Sequence, residues 1–191
     1  MGLDIFILTD KRDDIFTKDY HDLENGYFNK HSLSRTFCNL MCRRNVISGE
    51  PELDQIGRIT SIDISPIYQM ESYGSDEELE FRLGAAENDE ERKRILAEAQ
   101  QRKENLKGNL DKVLKTINSL IDTLPSIGNL PSLLNDNGYG TLDYENYFTD
   151  FNIDKGEGYI RNNFGQDLRN FKRFLEYAKE KGATTVYFDY G

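Results

Sequence analysis

The segment Met1-Gly-Leu-Asp-Ile-Phe-Ile-Leu-Thr9 opens the chain, and its short apolar run predicts a β-strand. Asp4 is the single polar residue within positions 3–8, so we expect a central strand that is covered on both faces. A carboxylate buried in that way must be paired or protonated, and Asp4 is therefore predicted to need an explicit partner. The β-branched and aromatic residues 184–190 predict a closing strand that returns to the same sheet.

Three segments between these strands have recognisable patterns. Ser32 is predicted to cap a helix over residues 32–45, because a serine hydroxyl can accept an early backbone N–H. The segment Arg58-Ile-Thr-Ser-Ile-Asp-Ile64 predicts another strand, which Pro66 ends. Gly182 is predicted to end the last helix at its C-cap position, just before the closing strand.

The middle of the chain is different, since its apolar residues follow a helical repeat. Ser75-Asp-Glu-Glu78 matches a capping box, Gly84 and Asn88-Asp89 indicate a break, and a long helical pattern then extends from Glu90 to Leu124. Spacings of 4, 3, 4 and 3 separate the seam residues Leu106, Leu110, Val113, Ile117 and Leu120. Such a seam is typical of a helix that packs lengthwise on another helix, either within the chain or in a second copy.

Composition limits the class of protein. The 191 residues fit one α+β domain over 1–191: a mostly antiparallel sheet with packed helices and a helical hairpin excursion over 75–124. A net charge of −10 argues against non-specific binding to nucleic-acid backbones. No window approaches the roughly 18 apolar residues of a membrane helix, and no secretory leader is apparent. We therefore expect a cytoplasmic protein that does not bind membranes.

Four polar residues form the candidate catalytic group. Asp4, Glu24, Lys30 and His31 lie beside the first strand and a helix start, and histidine is the side chain best suited to acid–base chemistry near neutral pH. The alternative is a histidine that sits at the surface or caps a helix. The sequence contains no phosphate-binding loop, nucleophile elbow or zinc-protease motif that would strengthen the catalytic interpretation.

A metal site is the second hypothesis. His31, Cys38 and Cys42 fall on one helical face if the helix begins early, and thiolates combined with imidazole suit zinc. Against this, cysteines one helical turn apart are commonly reduced, buried core residues. We predict no cofactor.

The sequence therefore favours a non-enzymatic accessory or interaction protein. Its partner would be another protein or a second copy, bound through the seam residues of the helical excursion or through the acidic aromatic segment 142–151. The alternative is a small enzyme or metal-binding protein with a site around Asp4, Glu24 and His31. A third hypothesis is an acidic mimic of nucleic acid.

The opening Met1-Gly-Leu-Asp4, the segment Glu24-Asn-Gly-Tyr-Phe-Asn-Lys-His31 with the helix after it, and the aromatic C-terminal strand also carry a family resemblance. Together they resemble an uncharacterised family of small proteins from phages and bacterial genomes. The chain departs from that family at Phe28, where the family has tryptophan, and in its long middle helix. The resemblance implies a phage or mobile-element origin, and it supplies no catalytic residue.

Overall fold

The computed structural model describes residues 4–22, 24, 26–72, 76–135, 140 and 142–191. These residues combine many helices with a two-stranded antiparallel sheet of β1 (Ile5–Thr9) and β2 (Val186–Tyr190). The α-helices are α1 (Arg12–Ile15), α2 (Phe28–His31), α3 (Arg35–Cys42), α4 (Glu52–Thr60), α5 (Ser65–Gln69), α6 (Asp76–Ala85), α7 (Asp89–Leu106), α8 (Leu110–Thr123), α9 (Tyr144–Tyr147) and α10 (Phe164–Glu180). Single 3₁₀ turns lie at Asp19–His21, Arg43–Asn45, Met70–Ser72, Leu124–Ser126 and Leu130–Leu133.

The sheet confirms one prediction and corrects two others. The closing strand does return to the first, in antiparallel register with Ile7 opposite Phe188. The sheet is nevertheless small, because helices dominate the described residues. Nor is β1 covered on both faces: Ile5 and Ile7 are buried, whereas Phe6 is 42% exposed. Asp4 does have a partner, but the carboxylate is half-exposed rather than buried.

The strand predicted over residues 58–64 is wrong, because this stretch begins inside α4. Leu53 and Ile56 of α4 are both fully buried, and their spacing of three suits a helical face. Ser61 then takes a left-handed conformation (φ 57°) and closes the helix by donating its N–H to carbonyls of the last turn. The isoleucines of this segment therefore span a helix end and the turn that follows it.

The helix predicted over residues 32–45 is also interrupted. Residues 32–34 separate α2 from α3, and Ser34 rather than Ser32 caps α3 by accepting the Phe37 N–H at 3.1 Å. Asp167 of α10 fixes this start, since its carboxylate accepts from the Ser34 N–H at 2.9 Å and the Ser34 hydroxyl at 2.6 Å.

The core lies where α8 crosses α10, and α10 in turn packs on α2. Phe171 and Leu175 of α10 are fully buried there. Behind them, Gly182 (φ 83°) ends α10 as predicted and leads into β2.

The helices α6 and α7 contact each other as a hairpin. Arg82 bonds Glu98 at 2.7 Å and Arg102 lies 3.9 Å from Glu78, while the predicted cap Ser75 lies outside the described residues. Among the residues that the structure describes, none in 76–106 belongs to the main hydrophobic core. No described helix has the length and apolar character needed to cross a membrane.

Candidate functional site

A cleft of about 710 Å³ runs along β1. Its volume falls within the range of protein ligand sites, roughly 300–1,000 Å³. Residues 4–8 of the first strand border it without a break, but Asp189 is its only lining residue from β2. The cleft therefore lies beside the edge of β1 that β2 leaves uncovered. The other lining residues are Arg12, Phe16, Tyr20, His21, Phe28, His31, Ser32, Leu33, Arg35, Tyr159, Ile160 and Phe174.

The hydrogen-bond pattern of the sheet shows which backbone groups face the cleft. Asp4 and Gly191 exchange two backbone hydrogen bonds, of 2.9 and 3.1 Å. Opposed residues in an antiparallel pair alternate between bonded and non-bonded, so the N–H and C=O groups of Ile5 and Ile7 point away from β2. Within the part of the chain that the structure describes, these four groups have no hydrogen-bond partner. We call this side of β1 the free edge.

The inner wall of the cleft is aromatic. Phe16 stacks on Phe174 with ring centroids 6.0 Å apart, and His31 meets Phe174 edge-on at 5.9 Å. His31 Nδ1 lies 3.3 Å from the Tyr20 hydroxyl oxygen. Burial, together with the nearby cations Arg173 and Lys30, lowers the pKa of His31 to about 4. His31 is therefore neutral at pH 7, and this wall presents rings without charge.

Charged groups lie at the two ends of the cleft. At the Asp4 end, Arg35 forms a bidentate ion pair with Asp4, with nitrogen–oxygen distances of 3.1 and 3.3 Å. At the other end Arg12 begins α1, and its side chain has no ion pair or hydrogen bond to any residue that the structure describes. One arginine of the cleft is thus neutralised and the other is not.

The structure brings together only part of the predicted catalytic group. Asp4 and His31 both line the cleft, whereas Glu24 and Lys30 are exposed and do not. Asp4 is bonded to Arg35 and His31 to Tyr20, so the two share no hydrogen bond. A general base assisted by a carboxylate would need that bond, which the arrangement does not provide.

The predicted metal ligands are divided between two helices. His31 ends α2, but Cys38 and Cys42 lie on α3 beyond the break at residues 32–34. Cys38 is a buried free thiol, and burial raises its pKa to about 12. Protonated thiols are poor metal ligands, because the thiolate is the ligating form. Within the described residues no three His, Cys, Asp or Glu side chains are grouped to hold a metal ion.

The seam packs within the chain. Leu110, Val113, Ile117 and Leu120 on α8 are buried against α10 and α5, and Leu106 at the end of α7 is buried as well. A partner could contact these side chains only if α8 left the core. The exposed apolar residues of the hairpin are instead Phe81, at 77%, and Leu96, at 50%. In the acidic aromatic segment, Tyr147, Phe148 and Phe151 are buried too.

No family model, curated protein or solved structure matches this chain. The cleft is therefore interpreted from its own geometry. Sequence reasoning found Asp4 and His31 but missed the aromatic wall and Arg12. The aromatic residues between positions 16 and 28 were a usable signal, whereas nothing local could indicate that Phe174 joins them.

Proposed function

We propose that this protein binds an extended peptide segment of a partner protein, which adds to the free edge of β1 as a third strand. The observation that supports this is the row of backbone groups on Ile5 and Ile7, beside the cleft, that have no partner among the described residues. Strand addition to an exposed sheet edge is a recurring mode of peptide recognition, in which main-chain bonds give affinity and side-chain pockets give specificity.

The cleft borders five consecutive residues, 4–8, which is the length of a short added strand. A five-residue strand is about 17 Å long, at about 3.4 Å per residue. Successive side chains of an added strand would point alternately toward the aromatic wall and toward the outer face that carries Phe6. Each main-chain hydrogen bond that replaces one to water contributes about 0.5–1.5 kcal/mol. Four such bonds and one or two buried side chains supply the favourable contacts, and the cost of immobilising the peptide reduces the net affinity.

Displayed random heptapeptides provide a direct test. Peptides would be selected on the wild-type protein alone and then titrated against Phe6→Asp, which places a charge at the cleft. Phe81→Asp is the matched control, because it puts the same charge on an exposed phenylalanine of α6. We expect selected peptides to bind the wild type and Phe81→Asp equally, and Phe6→Asp at least about tenfold more weakly.

N-methylation of the selected peptide then tests strand addition itself. Methylating the amides that face β1 should abolish binding, while methylating the alternate amides should leave it nearly unchanged. Hydrogen exchange should slow at the Ile5 and Ile7 amides of the complex. Peptides whose binding tolerates methylation at every position and leaves these two amides unprotected would disprove the proposal. The peptide experiment would give the same negative result if the natural ligand of the cleft were a flat small molecule.

The hairpin is a second candidate interaction surface. Phe81 and Leu96 are exposed apolar residues on a helix pair outside the main core, which favours contact with another protein. The same two variants separate the candidates, because a partner of the hairpin would lose affinity for Phe81→Asp and keep it for Phe6→Asp.

A further inference from the structure

We infer that the segment bound in the cleft is acidic at the end that lies beside Arg12. This inference rests on the proposed function and adds the chemistry of the partner to it. Arg12 belongs to the lining of the cleft, at the end where β1 leads into α1. A strand laid along the free edge therefore brings one of its terminal residues next to this guanidinium.

Several arginines have a carboxylate partner, whereas Arg12, like the exposed Arg92 and Arg161, has none among the described residues. Arg35 on the cleft, Arg58 on α4 and Arg82 on α6 each have a carboxylate partner, with nitrogen–oxygen distances of 3.1, 2.9 and 2.7 Å. Arg173 beside the cleft wall likewise pairs with Asp154 at 2.6 Å. The Arg12 side chain has no such partner among the described residues, although it is the cation placed at the end of the free edge.

Of the three carboxylates within two residues of Arg12, Asp10 and Asp14 contact other groups, whereas Asp13 has no ion pair or hydrogen bond to a described residue. Asp10 accepts the backbone N–H groups of Thr184 and Thr185, at 3.0 and 3.1 Å, and these bonds lower its pKa against the opposing effect of burial. Asp14 lies 3.9 Å from the Lys11 ammonium. None of the three is bonded to Arg12, so its fork of donors is available for an incoming carboxylate.

The remaining charges of the cleft agree with this polarity. Arg35 is neutralised by Asp4 at the far end, so a second acidic residue there would gain little. Asp189 belongs to β2 and lies across β1 from the free edge. Arg12 is therefore an unneutralised cation of the cleft lining at the end of an added strand, and the inner wall beside it is neutral at pH 7 because His31 is uncharged there.

A charge-swap cycle tests the inference. The probe is a selected heptapeptide made in two versions, with Glu or Lys at the terminal position that lies nearest Arg12 in the complex. We expect the wild type to bind the Glu version at least about fivefold more tightly than the Lys version. This ratio of dissociation constants corresponds to about 1 kcal/mol, the strength of a partly exposed ion pair. Arg12→Glu should reverse this preference, and the preference should weaken as salt is raised.

Arg92→Glu is the control, because it makes the same charge change at an exposed site on α7. It should leave the ratio between the two peptides unaltered. Equal binding of both peptides, with the Ile5 and Ile7 amides still protected, would overturn the acidic preference and leave strand addition in place. Failure to select any peptide sensitive to Phe6→Asp would overturn both.

Discussion

At the scale of single residues, Asp167 links folding stability to pH. Its fully buried carboxylate accepts hydrogen bonds from Ser34, from the Tyr147 hydroxyl at 2.9 Å and from Asn162 at 3.1 Å. Burial still raises its pKa from 3.8 to about 6, against the lowering effect of these donors. Between these two values the folded state holds a proton that the unfolded chain has released. The contribution of Asp167 to stability is therefore present below pH 3.8 and lost as the pH rises through about 6.

Asp167→Asn isolates this effect. The amide oxygen can keep the Ser34 N–H and Asn162 bonds, and the amide nitrogen can donate to the Ser34 and Tyr147 hydroxyls after they rotate. We expect the difference in unfolding free energy, wild type minus variant, to fall between pH 4 and 6.5 in urea titrations. His31 has the opposite sign, losing stability as the pH falls from 6.5 to about 4, but it is present in both proteins and cancels. A difference that is flat or rises with pH would contradict the assignment.

Asp167→Ala should lower the free energy of unfolding by several kcal/mol throughout this pH range, because each buried donor left without an acceptor costs about 1–3 kcal/mol.

Residue identity alone predicted only part of the cleft, because the bonding partners of its residues lie far away in the sequence. Asp4 and His31 were found because a carboxylate in an apolar strand and a rare histidine are conspicuous in a sequence. Their bonding partners, Arg35 and Tyr20, are 31 and 11 residues away from them. Arg12 is one of many surface arginines by sequence, and its significance comes only from where the end of β1 places it.

At the scale of elements, α8 is the clearest success of sequence periodicity. Its apolar positions were predicted to pack lengthwise on a helix, and they pack on α10.

Ile117 of α8 is fully buried, so Ile117→Ala should lower the unfolding free energy by about 2–4 kcal/mol, the usual cost of truncating a buried isoleucine. Lys115→Ala on the exposed side of α8 should change it by less than about 0.5 kcal/mol. Denaturant titration measures both changes. If Ile117→Ala kept wild-type stability but lost self-association, the seam would instead join two chains.

Short elements were predicted less well than α8, since their ends depend on distant contacts. Residues 58–64 have the composition of a strand, but the stretch before them belongs to α4, which begins at Glu52. That carboxylate is fully buried and pairs with Arg43 at 2.6 Å, while the Tyr144 hydroxyl donates to it. A buried ion pair of this kind fixes the start of α4, and neither partner is visible from the pattern of residues 58–64. Strand propensity is weak enough to be overridden by such tertiary contacts.

At the scale of the whole molecule, the predicted excursion over 75–124 has two parts with different roles. The helix α8 lies in the core, whereas the described side chains of the α6–α7 hairpin contribute nothing to that core. The ends of the hairpin are close to each other, because Arg102 lies 3.9 Å from Glu78 and α7 contacts Met70–Ser72. The contacts that define the cleft therefore come from the rest of the chain.

Replacing residues 76–102 with a short Gly–Ser linker tests this division. We expect a folded protein whose thermal midpoint stays within about 5 °C of the wild type, since a stability change of about 1 kcal/mol shifts the midpoint by only a few degrees at this size. Peptides selected on the cleft should keep their affinity within about twofold, because Arg12, Phe6 and the free edge are untouched. Differential scanning calorimetry measures the thermal midpoint, and titration measures the peptide affinity. The control is a variant in which the same linker replaces only residues 86–88, the turn between α6 and α7. If the deletion variant alone lost cooperative unfolding, the hairpin would be part of the folding unit. If a stable deletion variant lost peptide affinity, the binding surface would lie on α6 and α7.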